Sequence, residues 1–195
     1  RKFKKILVTG PNANNQSIMG DWVFEQPEKN VSTILEGIKE EASGTQINYV
    51  DVGWNMRALD SAKIEEAIQT AKSSDLAIVI VGEDSFRQHW KEKTCGENRD
   101  RMDITLWGKQ DYLVDSIYKT GVPTIVILIN GRPLATRWIA ENIPAVIEAW
   151  EPGSMGGKAI AEILFGKVNP SGKLPITIPR HVGQISTVYN HKPSQ

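Results

Sequence analysis

Five short runs of the chain are apolar at consecutive positions and rich in β-branched residues: KKILVTG (4–10), INYVDVG (47–53), DLAIVIVGE (75–83), PTIVILIN (123–130) and AVIEAW (145–150). A strand covered on both faces reads this way, because neither side of its pleat meets water. The segments between the runs change period. VSTILEGIKEEA (31–42), SAKIEEAIQTAKSS (61–74), KQDYLVDSIYKT (109–120) and GKAIAEILFG (157–166) space their apolar residues three and four apart, which predicts helices with one buried face. Asp60 or Ser61 is placed to cap the second helix, and Gly121 ahead of Pro123 to stop the third. Strand and helix alternate, so the expected fold is α/β: a mostly parallel sheet of about five strands with helices on both faces, a flavodoxin-like three-layer sandwich. After the last helix, NPSGKLPITIP (169–179) predicts a turn and then a short strand bracketed by prolines, placed at an edge of the sheet.

In an open parallel sheet, ligands meet the loops at the carboxyl ends of the strands. Here those loops are GPNANNQSIMGDW, VGWNMRALD, the segment from Glu83 to Leu106, NGRPLA and EPGSMGG. The third is the longest, and a loop of that length without secondary structure is usually functional or disordered. Within it, TCGENRDRMDI (94–104) sets Glu97 directly after a glycine.

Composition narrows the chemistry. The chain has 195 residues, 40% hydrophobic and 24% charged, as expected of one soluble globular domain. Its 23 Lys and Arg balance 23 Asp and Glu. A nucleic-acid partner would call for a basic excess to neutralise phosphates, so none is expected. No apolar run is long enough to span a bilayer, and the basic start RKFKK leads into no signal-like segment, so no membrane partner is expected either. Cys95 is the only cysteine, which excludes an internal disulfide framework.

The first loop lacks both GxGxxG and GxxxxGK[ST], and Pro11 after Gly10 removes a backbone donor, so a phosphate cradle is missing. His89, His181 and His191 are scattered and none pairs with a carboxylate at helical spacing, which argues against a metal site. No cofactor is therefore expected. No GxSxG elbow is present, and Cys95 has no base beside it in sequence. Carboxylates remain: a loop glutamate over a cleft can protonate a leaving oxygen when its surroundings favour the neutral acid. Glu97 among arginines also reads as a solvated ion pair. Trp22, Trp54, Trp90 and Trp107 fall in or beside the carboxyl-end loops, whereas Trp138 and Trp150 look like packing residues. Indole faces near one rim suit sugar rings, which present apolar C–H patches between hydroxyls.

The ordered stretches VGE (81–83), GENRDRMDITL (96–106), NGRPLA (130–135), AVIEAWEPGSMGGKAIAEILFGKVNPSGKLPITIPR (145–180) and VGQISTVYNHK (182–192) resemble the C-terminal α/β sandwich domain of glycoside hydrolase family 3. The likeness runs from KILVTGPNANN to the end of the chain and is nearest to the bacterial β-glucosidases of the family. It implies retaining hydrolysis of terminal β-linked sugars from the non-reducing end, with an oligosaccharide or glycoside as substrate. Such chemistry takes two carboxyl groups roughly 5 Å apart. The resemblance further implies that the nucleophile is an aspartate on a preceding (β/α)₈ barrel of the same enzyme. A barrel alone takes about 250 residues, so residues 1–195 are expected to form the sandwich domain without it and to be inactive alone. The family's E-x-x-x-R-x-[DE]-[IL] segment falls on Glu97, Arg101 and Asp103, which makes Glu97 the implied general acid/base. Trp90, Arg101, Trp22 and Trp107 become candidates for the substrate rim. A periplasmic or extracellular location is implied by the bacterial relatives.

Two departures from the family pattern matter. The loop before Glu97 is longer than in many relatives, and its FRQHWKEK brings Glu92 as a second candidate for the acid/base. LWGKQ has Trp107 where relatives commonly carry proline. IMGDWVF (18–24) is similar to the S-D-W stretch around the family's nucleophile, but its surroundings match the first sandwich loop, so Asp21 is not expected to be the nucleophile. Two other readings stand beside the hydrolase domain: a non-catalytic sugar-binding or scaffold module, and a flavodoxin-like nucleotide-binding domain that the missing phosphate loop disfavours.

Overall fold

The computed structural model describes residues 3–184. His191, and the part of VGQISTVYNHK from residue 185 onward, lie outside the described residues. Five strands form one parallel sheet: β1 (Lys5–Thr9), β2 (Gln46–Val50), β3 (Leu76–Gly82), β4 (Thr124–Ile129) and β5 (Ala145–Glu148). Their spatial order is β2-β1-β3-β4-β5. β1 lies between its partners in continuous register, with Val8 facing Tyr49 on one side and Ile78 on the other. β3 is buried at every position, as its unbroken apolar run requires.

The helices are α1 (Ile34–Glu41), α2 (Ser61–Lys72), α3 (Gln110–Tyr118), α4 (Arg137–Asn142) and α5 (Gly156–Leu164). α1 and α5 pack on each other over one face of the sheet, in a core built around Ile6, Val8, Ile34, Ile38, Ile78 and Ile160. α2 and α3 pack together in the opposite core, around Leu7, Val79, Ile64, Ile68, Leu113 and Ile117. Asp60 caps α2 by accepting from the N–H groups of Ala62 and Lys63. Thr33 and Glu36 form a reciprocal capping box at α1, an arrangement worth about 1 kcal/mol. α1 meets α5 at glycines. A Cβ on Gly157 would lie 1.9 Å from the Thr33 carbonyl oxygen, and one on Gly37 would lie 2.2 Å from that of Gly157. The two backbones touch where any side chain would force them apart.

Two features depart from the sequence reading. α4, in a stretch the sequence reading left unassigned, is a short helix between Pro133 and Pro144 whose Arg137 pairs with Glu141 one turn on. The edge strand expected within 169–179 does not form, and the sheet ends at β5. Pro170, Pro175 and Pro179 withhold the N–H groups a ladder needs. The segment instead crosses the surface, with Ile176, Thr177 and Pro179 bordering a cleft beside Ile104, Arg132 and Pro133.

Candidate active site

The strand order locates the site. From β1 the chain passes to β2 on one side, then crosses to β3 on the other, so the loops leaving β1 and β3 diverge from neighbouring strand ends. That divergence makes the crevice in which doubly wound sheets take their ligands. The β1 loop carries Asp21, and the β3 loop carries Glu97.

The β3 loop contains a single turn of 3-10 helix at Arg87–His89. Its main-chain polar groups must therefore find partners outside regular structure. Asp84 closes its base: the Asp84 carbonyl accepts from Thr94 N–H at 2.6 Å and Cys95 N–H at 3.2 Å, and its carboxylate accepts from Phe86 N–H at 2.9 Å. The same carboxylate lies 2.6 Å from His89 Nδ1, and Trp54 stacks on the His89 ring at 4.0 Å. Arginines cover the loop's carbonyls. Arg57 donates to Glu92 O and Lys93 O, Arg99 to Lys93 O and Trp90 O, and Arg132 to Arg99 O.

Beneath the loop lies Glu83, fully buried. Arg101 Nη1 donates to its Oε1 at 2.9 Å, and Arg132 Nε sits 3.2 Å from its Oε2 as an ion pair outside hydrogen-bond alignment. Burial pushes the Glu83 carboxyl up from its ordinary value, and the guanidiniums of Arg132 and Arg101 pull it back. Arg101 also donates to Thr105 O at 2.8 Å and stands 4.3 Å from the Trp107 ring centre. Its side chain is 6% exposed, so Arg101 forms the floor and does not reach the rim expected for it. Trp107, half-buried between Arg101 and Arg57, belongs to the same floor. Asp103 accepts from Thr105 N–H and Oγ1, both at 2.9 Å, and those bonds hold its carboxyl below the usual range.

Cys95 is buried in this floor, and burial, then the charges of Glu83 and Glu151, push its thiol upward. Thiolate is the reactive form. The folded chain should therefore ignore a thiol-specific reagent that labels it once after denaturation, and rapid labelling of the folded chain would contradict this placement.

Glu97 stands at the outer lip. Its N–H donates to Asp21 Oδ2 at 2.6 Å, and its Oε2 accepts from Arg87 Nη1 and Nη2 at 3.1 and 3.0 Å. Its side chain remains 40% exposed. Gly96 makes this approach possible: its φ is +86°, and a Cβ there would lie 2.5 Å from Asp21 Oδ2. Asp21 accepts further from Arg87 Nη1 at 3.1 Å and Lys93 Nζ at 3.0 Å. Burial works against its ionisation, but the bonds from Glu97 N–H, Lys93 and Arg87 prevail and hold its carboxyl low. Glu92, the second candidate, lies one turn back, its N–H bonded to His89 O and its carbonyl to Arg57.

Trp22 is 73% exposed and covers the Arg87 guanidinium at 3.8 Å, and Trp90 flanks the same group at 5.2 Å. Trp54 and Phe24 extend the exposed aromatic surface. Phe24 escaped the sequence reading, although its place two positions after Trp22 in the same loop was a signal. Trp138, read as packing, lies edge-on to Tyr118 at the surface and is 37% exposed.

A doubly wound α/β domain with a carboxylate on its longest carboxyl-end loop is thus the class in hand. Residues 1–195 match the sequence profile of the Glycosyl hydrolase family 3 C-terminal domain, and the chain belongs to that family. It is 40% identical over 200 residues to a "Beta-xylosidase" of Formosa agariphila, covering 98% of this chain and 26% of that protein. It is 35% identical over 212 residues to the "Periplasmic beta-glucosidase" of Salmonella typhimurium, covering 98% and 27%. The crystal structure of a beta-glucosidase from Listeria innocua superposes with a TM-score of 0.85 at 30% identity, over 97% of this chain and 25% of that one. The chain spans about a quarter of the length of these relatives. Among the described residues, no helix is long and apolar enough to cross a membrane.

Proposed function

We propose that this domain supplies Glu97 as the general acid/base of a retaining, exo-acting β-glycosidase that releases terminal sugars from β-glucosides or β-xylosides. The nucleophile in this reading is an aspartate on a (β/α)₈ barrel of the same enzyme. One observation carries the assignment: Asp21 pins the Glu97 main chain while the Glu97 carboxylate stays exposed at the lip, beside the Trp22 face. A group that must reach a sugar held by another domain needs that combination of fixed backbone and open carboxyl. The names of the relatives support the substrate class, and the Salmonella relative supports a periplasmic location.

In the first step the barrel aspartate attacks the anomeric carbon while Glu97, protonated, passes its proton to the departing oxygen. In the second, Glu97 as carboxylate takes a proton from the water that releases the sugar. Both proton steps run through carboxyl groups, so the reading calls for no cofactor. Trp22 and Trp90 supply apolar faces for the sugar or its aglycone.

The 195-residue chain alone should then hydrolyse no aryl β-glycoside, while the complete enzyme should turn it over. Turnover by the isolated chain would overturn the division of labour. A complete enzyme inert toward every β-glucoside and β-xyloside would favour the non-catalytic sugar-binding module.

A further inference from the structure

We propose that Asp21 is the positioning residue of the acid/base, holding the Glu97 main chain directly and the Glu97 carboxylate through Arg87. The inference rests on the acid/base reading of Glu97. One carboxylate makes both attachments: Asp21 Oδ2 accepts from Glu97 N–H at 2.6 Å, and Asp21 Oδ1 accepts from Arg87 Nη1 at 3.1 Å. Arg87 in turn places both terminal nitrogens on Glu97 Oε2. The contacts bridge 76 positions of sequence and tie the β1 loop to the tip of the β3 loop. Asp21 cannot drift, because Lys93, whose side chain is fully buried, donates to its Oδ2 at 3.0 Å and lies 4.3 Å from the Trp90 ring centre. Arg87 cannot drift either, because Trp22 lies over its guanidinium. The Glu97 carboxyl is thus fixed from two directions, by its backbone and by its charge partner.

Proton transfer is steep in geometry, so loosening this anchor should damage acid assistance before it damages sugar binding. In the complete enzyme, Asp21→Asn should lower kcat/KM, which reports bond cleavage alone, about 10- to 100-fold more on β-glycosides with poor leaving groups than on those with good ones. Asp21→Asn also strips the buried Lys93 of its counter-charge, which is a structural effect. The double variant Asp21→Asn, Lys93→Met removes that charge and should recover the thermal midpoint while keeping the leaving-group-dependent loss. A double variant that recovers stability and shows equal loss on good and poor leaving groups, or no loss, overturns the proposal. Glu97→Gln is assayed alongside. If Glu97→Gln shows the leaving-group dependence and the Asp21 variants do not, the positioning role alone falls. If Glu97→Gln shows none, the acid/base reading falls and takes this role with it.

Discussion

Glu97→Gln in the complete enzyme should cut hydrolysis of alkyl β-glycosides by about 10²- to 10⁴-fold, the usual contribution of a positioned acid or base. Aryl glycosides with acidic phenols should lose far less in bond cleavage, because a stable leaving oxygen needs no proton in the transition state. The amide keeps the shape of the side chain and an acceptor for Arg87, so the exposed lip should stay intact while the transferable proton is gone. Glu92→Gln should retain the native dependence on leaving group. Values of kcat/KM across a phenol series, which report bond cleavage and not release of the sugar, decide it, and a uniform loss for Glu97→Gln, or the steep dependence appearing in Glu92→Gln, would move the role away from Glu97.

The second large effect concerns stability. Glu83→Ala should cost about 3–5 kcal/mol, because it removes the one carboxylate facing two guanidiniums and leaves their charge uncompensated. Arg101, 6% exposed, has little water to turn to. For a domain of this size the loss corresponds to roughly 6–20 °C in the thermal midpoint. Glu83→Gln should recover part of it by accepting from Arg101 without a charge. Denaturant unfolding of the chain measures both variants, and a cost under about 1 kcal/mol for Glu83→Ala would show that water replaces the carboxylate.

The inner strands β1, β3 and β4 were legible because burial on both faces demands unbroken β-branched runs, and Leu76–Gly82 meets that demand at each position. The four long helices were legible through their apolar period and caps, down to Asp60. α4 was not, since a single turn and a half between prolines carries too little periodicity to separate from a loop. The edge strand was over-read from LPITIP, whose apolar residues alternate but whose prolines cannot join a ladder. The Glu97 segment stood out by motif and loop length, yet its setting did not. Asp21, weighed as a nucleophile and set aside, holds Glu97 because strands one and three are neighbours, a fact of topology that local sequence does not carry. Arg101 failed as a rim residue for a similar reason: its partner is Glu83, eighteen positions earlier at the end of β3, and that ion pair draws it beneath the loop. Trp22, by contrast, stands exposed where its loop suggested.

The central claim is that Glu97 moves the proton in both steps, and azide rescue tests it most directly. In a Glu97→Ala enzyme given an aryl β-glycoside with a good leaving group, the glycosyl-enzyme should form and then wait, for want of a base to activate water. Azide attacks without a base and fits the space the carboxyl left. The account predicts that added azide raises turnover and that the product is a glycosyl azide of retained β configuration. Turnover that azide leaves unchanged, with free sugar as the only product, would contradict it.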